Sequence, residues 1–340
     1  MNTVKKYLLI VIVILAALLR AYYACYLPGD FCRKEYGEEK REVGVFKSIR
    51  NSVVRAVDSN FSSPHSELLL GMLIGLDRLK NVPSFSHELK ITSTVHVVVV
   101  SGFNIALVFN LVTKLLGSQY KLRNVILAQI ATSFYALLSG FEPPVVRALV
   151  MGSIVAWGKF YGRIIDGLSI LIFAASLMVI ISPTYLFNIS FQLSFAASLG
   201  LIQFSSIFSN MKLPEDLSST LAAQVFVWPI ISSYFGTVGI LGILVNPFIL
   251  WTVPVSTILG GIFILGAIIS PLLAKLTSVI LFPFLDIFVR IVTLFGSWEN
   301  SVISYRMNGP VLVIYYFSIL FLLFLRNRGV SNRSISKIKK

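Results

Sequence analysis

Apolar runs long enough to cross a bilayer recur along the chain, separated by short polar or basic connections. A helix crossing the hydrocarbon core needs about 20 predominantly apolar residues. By that measure the pattern predicts spans at Tyr7–Tyr23, Thr92–Leu116, Leu122–Leu138, Pro144–Tyr161, Ile164–Ile181, Tyr185–Phe208, Leu217–Phe235, Val253–Ile269, Leu272–Phe295 and Val311–Leu325. Ten-residue blocks of alternating polarity, the mark of a transmembrane barrel, do not occur. The predicted fold class is all-α: a polytopic integral membrane helix bundle of about ten spans, with re-entrant or interfacial helices besides.

Three stretches depart from this pattern. Val43, Phe46, Ile49, Val53, Val54 and Val57 recur every three or four residues, with Lys47, Arg50 and Arg55 between them. This predicts an amphipathic helix on a membrane surface or on the protein's own outer face. In SSPHSELLLGMLIGLDR, Ser-Ser-Pro opens a helix. Its apolar part, Leu68 to Leu76, is too short to span and reads as interfacial or re-entrant. The third stretch is GILGILVNPFILWTVP, Gly239 to Pro254. Its prolines, Pro247 and Pro254, each remove a helix donor and clash with the preceding turn. A dip that returns to the same side leaves ten spans and both termini cytoplasmic. A full crossing with two proline kinks is the other reading.

Composition agrees with a membrane protein: 56% of residues are hydrophobic and only 13% charged, against roughly 25% charged in soluble domains. The net charge of +14 gathers at the ends and in alternate loops. Lys5 and Lys6 precede the first run, and Arg326, Arg328, Arg333, Lys337, Lys339 and Lys340 follow the last, so both flanks read as cytoplasmic. Attraction to anionic lipid accounts for these charges better than nucleic-acid contact does. The expected organisation is an N-terminal membrane anchor over 1–24, uncleaved because no small-x-small site follows it. A short extracytoplasmic loop (25–63), a multi-span domain (64–325) and a basic tail (326–340) complete it. Cys25 and Cys32 fall just beyond the anchor, where an oxidising compartment permits a disulfide.

Polar residues interrupt three of the apolar segments. TVHVVVVSGFNIAL carries His96, Ser101, Gly102 and Asn104. On one continuous helix, Ser101 and Asn104 fall within about 140° of His96 and share its side. Gly102 weakens the helix and lets another backbone approach, so a kinked or unwound point is expected there. In SGFEPPVVRALV, Pro143-Pro144 opens a helix and Arg147 lies one turn inside, on the outer side. Arg147 either snorkels or pairs with Glu142, or faces an aqueous vestibule ready to take a phosphate bidentately. In FNISFQLSFAASLGLIQFSSIF, Gln192, Gln203 and Ser206 lie within about 60° of Asn188 on a helical wheel, a polar stripe along one span. Each group is costly in lipid without a partner. Pore lining and hydrogen bonding between helices are both open. Asp286 and Arg290, at i and i+4, predict an intrahelical ion pair.

No G-x-x-x-x-G-K-[ST] loop, no H-E-x-x-H and no four-ligand zinc set occurs, and the histidines are only His65, His87 and His96. Neither enzymatic activity, a metal nor another cofactor is expected.

HVVVVSGFNIALV, PPVVRALVM and FNISFQLSFAASLGL, in this order, resemble the signature segments of the ComEC competence family. ELLLGMLIGLDR before them and VNPFILWTVP after them are similar too, so the resemblance covers roughly Val43 to Leu325. It implies an inner-membrane channel for single-stranded DNA in naturally transformable bacteria, working with a DNA-receptor protein and a helicase-like ATPase. It also places His96, Ser101, Gly102, Arg147, Gln192, Ser194 and Asn246 around the translocation path. The family's first signature usually reads Ser-Gly-Leu-His; here Asn104 stands where that histidine would be. Larger relatives carry an oligonucleotide-binding-type domain and a metallo-β-lactamase-like nuclease domain, for which the loop before Ser63 and the tail after Leu325 are too short. The expectation is therefore a channel core. The alternatives are a secondary transporter whose site is the broken segment at 239–254, and a membrane scaffold whose polar residues satisfy one another.

Overall fold

The computed structural model describes residues 44–323 except 99, 118–120, 299–300 and 320, together with 14–17, 19, 20 and 22. Cys25 and Cys32, the basic tail and most of the anchor lie outside the described residues. Nearly all of the described chain is helix. The helices are α1 (Gly44–Asp58), α2 (His65–Ile74), α3 (Pro83–Ile91), α4 (Val95–Val98), α5 (Gly102–Leu115), α6 (Leu122–Leu138) and α7 (Pro143–Phe160). After them come α8 (Gly167–Ile181), α9 (Ile189–Ser209), α10 (Glu215–Phe235), α11 (Gly242–Ile249), α12 (Thr252–Ile269) and α13 (Pro271–Gly296). A last helix, α14, covers Gly309–Leu323. Two short strands, β1 (Thr237–Gly239) and β2 (Val302–Ser304), pair antiparallel with Val238 opposite Ile303.

Among the described residues, four helical stretches are long and apolar enough to cross a membrane: Val95–Leu115, Ile189–Ser209, Thr252–Ile269 and Pro271–Gly296. The ten spans expected from the sequence are not reached by this measure. Leu122–Leu138, Gly167–Ile181 and Gly309–Leu323 are apolar but shorter. The 17 residues of α6 give about 26 Å of helix against a hydrocarbon core of about 30 Å. In α7 and α10 the apolar character is diluted by Arg147 and Lys159, and by Glu215, Asp216 and a run of hydroxyl residues.

The helices pack as two groups. One is built from both ends of the described sequence, α1–α4 with α11–α13, around a core that includes Val57, Leu68, Leu69, Met72, Leu89, Ile249, Phe263, Leu285 and Phe288. At its centre is α2, all ten of whose residues are buried. The segment is thus covered by the protein's own helices. A helix apolar all round has no face to give to water and is driven inside. The amphipathic α1 forms where its spacing predicts, burying Val53 and Val57 and exposing Lys47 and Ile49. The other group is α5–α10. Within it α9 and α10 approach closely at Gly200, where a Cβ would strike the Ala222 carbonyl.

Two broken segments connect the groups. Thr92–Leu116 is not one unbroken helix: α4 ends at Val98, Ser101 is extended (φ −104°, ψ 165°) and α5 starts at Gly102. The segment 239–254 is broken as well. The 8 residues of α11 span about 12 Å, too little to cross, and a turn at Leu250–Trp251 leads into α12. Pro254 has no N–H to give the Leu250 carbonyl, which instead accepts from Val253 N at 3.3 Å. The two segments touch, with Ser93 Oγ donating to the Gly239 carbonyl at 3.0 Å.

Candidate functional site

The site is built on α7. Pro143 and Pro144 fill its first turn, where a missing N–H costs nothing, and fix the entry so that Arg147 lies on the flank turned to α9. The start of α9 is positioned by an aromatic stack: Phe191 packs on Phe195 (4.4 Å) and on Tyr185 (5.9 Å), against Met178 and Val179 of α8 and Val146 of α7. This turns Ser194 and Ser198, one helical turn apart, toward α7. Arg147 Nε donates to Ser194 Oγ at 2.7 Å and Nη1 to Ser198 Oγ, with Met151 Sδ 3.8 Å from Nη1. Ser198 in turn donates to the Ser194 carbonyl at 2.9 Å.

The third wall is the start of α5. A Cβ on Gly102 would come within 2.9 Å of both Ala148 Cβ and Arg147 Nη2, so only glycine lets α5 begin this close to α7. The arrangement gathers Gly102, Arg147 and Ser194, which are far apart in sequence. It adds Ser198, which the sequence reading missed; its i, i+4 spacing from Ser194 was the available signal. The pairing of Arg147 with Glu142 does not form. Among the described residues Arg147 has no carboxylate partner, and its Nη2 has no hydrogen-bond acceptor. A half-buried guanidinium held by two neutral hydroxyls keeps its full charge for an anion that can reach it.

The remaining residues read from sequence do other work. The break before Gly102 dissolves the common face drawn for His96, Ser101 and Asn104. His96 is exposed on α4, whereas Asn104 is buried and its Nδ2 donates to the Met72 carbonyl at 3.0 Å, tying α5 to α2. Asn188 is not part of a stripe within a span. It precedes α9 and caps it, its Oδ1 accepting from Ser190 N (2.9 Å) and Phe191 N (3.2 Å). Gln192 donates to the Leu186 carbonyl at 2.7 Å, bracing that same turn. Gln203 is half-buried three turns further along α9, away from Arg147. Asn246 lies beside the second break and is 4% exposed, and its Oδ1 has no partner. The Oε1 of Gln224, whose amide nitrogen lies near Gly242, likewise has none.

Asp286 and Arg290 form the expected pair, Nε to Oδ2 at 2.6 Å. His65, stacked on Phe282, joins it with Nε2 3.4 Å from Asp286 Oδ1. Among the described residues no group of three or more His, Cys, Asp or Glu could hold a metal ion.

Known proteins resemble this chain in sequence. It is 24% identical over 304 residues to ComE operon protein 3 of Bacillus subtilis (strain 168), covering 86% of this chain and 38% of that one. An uncharacterized protein of Aquifex aeolicus (strain VF5) is 27% identical over 248 residues, covering 71% of this chain and 59% of its own. The chain thus spans less than two thirds of the length of either relative. No solved structure matches. The profile of the family described as "Competence protein" matches residues 77–329, which include the Arg147 cluster and both broken segments. With well over half of its length matched, the chain belongs to the competence protein family.

Proposed function

We propose that the chain conducts single-stranded DNA across the bacterial cell membrane during natural transformation, with Arg147 as a phosphate contact on the path. The supporting observation is the Arg147 guanidinium, held by Ser194 and Ser198 beside Gly102 with no counter-charge among the described residues. A polyanion passing through a low-dielectric wall needs fixed positive charge and sequence-tolerant polar contacts. In this reading the chain catalyses nothing. A DNA-receptor protein and a helicase-like ATPase are separate partners, lipid surrounds the helices, and both termini face the cytoplasm. Binding of a labelled oligonucleotide to the protein in nanodiscs tests it. Arg147→Ala is expected to weaken binding about tenfold and to make its log–log salt dependence shallower by about one phosphate contact. Equal binding and equal salt slope in the two proteins reject the assignment of Arg147.

A second reading rests on the other break. The carboxamide oxygens of Asn246 and Gln224 are buried without partners beside a broken helix, the type of place where secondary transporters bind small solutes. That reading expects a small solute to be taken up in the absence of any DNA and DNA-binding partner.

A further inference from the structure

A groove of about 280 Å³ lies between α5, α6 and α7. It opens at Gly102 and Ala148, which flank the Arg147 guanidinium, and ends at Lys159. From Ala148 to Lys159 it follows α7 for about 17 Å, more than half of a hydrocarbon core of about 30 Å. Its hydroxyls are satisfied by their own helices: Thr132 bonds the Ala128 carbonyl at 2.9 Å and Ser153 the Leu149 carbonyl at 2.6 Å. Three longer polar side chains are not. Asn110 on α5, Gln129 on α6 and Lys159 on α7 line the groove with no side-chain partner among the described residues.

We infer that this groove carries the DNA strand onward from Arg147, with Asn110, Gln129 and Lys159 as its successive polar contacts. The inference rests on the reading of DNA as the passenger and adds the route. An amide without a partner is disfavoured in an apolar medium, so a groove bearing two holds water or a polar occupant in preference to acyl chains. Its charge selects the sign of that occupant. Lys159 lies at one end and Arg147 beside the other, and among the described residues no Asp or Glu lines the wall between. The positive-inside pattern assigns the Lys159 end, next to Arg163, to the cytoplasm, the direction in which a strand taken up would travel. The wall is also open at its middle. Gly152 stands at mid-groove, and a Cβ placed on it meets nothing within 4 Å.

Photo-crosslinking to a labelled oligonucleotide in the full chain tests the route. One crosslinker is attached at Phe103→Cys, at the Arg147 end, and another at Gly152→Cys inside the groove. DNA adducts at both positions, with nuclease-protected DNA reduced about tenfold or more by Gly152→Leu, are the expected result. Since the space at 152 is open, that variant keeps the fold, and its oligonucleotide binding at the Arg147 end should equal wild type. Adducts at 103 but none at 152 overturn the groove as the route while leaving the DNA reading standing. Lipid adducts alone at 152 overturn it by assigning the groove to acyl chains. Adducts at neither position remove the DNA reading itself.

Discussion

Two clusters of charged or polar groups sit in otherwise apolar surroundings, and they are built in opposite ways. Beside the α2-centred core, Asp286 is closed on both sides, by Arg290 at 2.6 Å and by His65 at 3.4 Å. Beside α7, the partners of Arg147 among the described residues are all neutral, the hydroxyls of Ser194 and Ser198 and the Met151 sulfur. The Asp286 charge is met within its own helix by Arg290, and His65 ties it to α2. A charge oriented by neutral partners is held in place but not neutralised, which suits it to a transient anionic visitor. The comparison therefore predicts that the first region governs stability and the second governs binding.

The largest stability effect belongs to the core itself. Phe263 is fully buried and packs edge-on to Phe61 at 5.3 Å. Phe263→Ala should cost about 3–5 kcal/mol, read from denaturant unfolding in detergent. Next is the tie between the groups: Asn104→Leu leaves the Met72 carbonyl without its amide donor and should cost about 1–3 kcal/mol. Gly102→Val, which drives a side chain into Ala148 and Arg147, should cost about 1–3 kcal/mol and also weaken oligonucleotide binding, because it displaces the guanidinium. Asp286→Asn should lower the unfolding midpoint and leave oligonucleotide binding at its wild-type value. The smallest stability change is expected for Arg147→Ala, whose removal takes a charge without a counter-charge among the described residues out of apolar surroundings, although it has the largest effect on binding. If Asp286→Asn impaired binding as strongly as Arg147→Ala, the division between the regions would fail.

What could be read from the sequence follows the range of the interactions. The opening of α7 was legible because Pro143-Pro144 acts locally, α1 because its apolar spacing is local, and the break before α5 because Gly102 weakens a helix by itself. The start of α9 carries a local signal too: Asn188 before an apolar run is a helix cap, a role that a helical wheel drawn through the whole apolar run hides. Tertiary partners gave no such signal. His65 and Asp286 are separated by 221 positions, and nothing near Asn104 points to the Met72 carbonyl. The groove contacts Asn110, Gln129 and Lys159 were invisible for the same reason, since each is an ordinary polar residue on its own helix until three helices bring them together.

The most direct test of the central claim, that Arg147 marks a conducting path for DNA, uses the full chain in liposomes. Labelled single-stranded DNA is supplied outside, with a receptor protein and an inward driving force. DNA that becomes protected from added nuclease is then compared between wild type and Arg147→Ala at equal protein density. The account predicts protection by wild type and a loss of about tenfold in the variant. Equal protection by both proteins would contradict it.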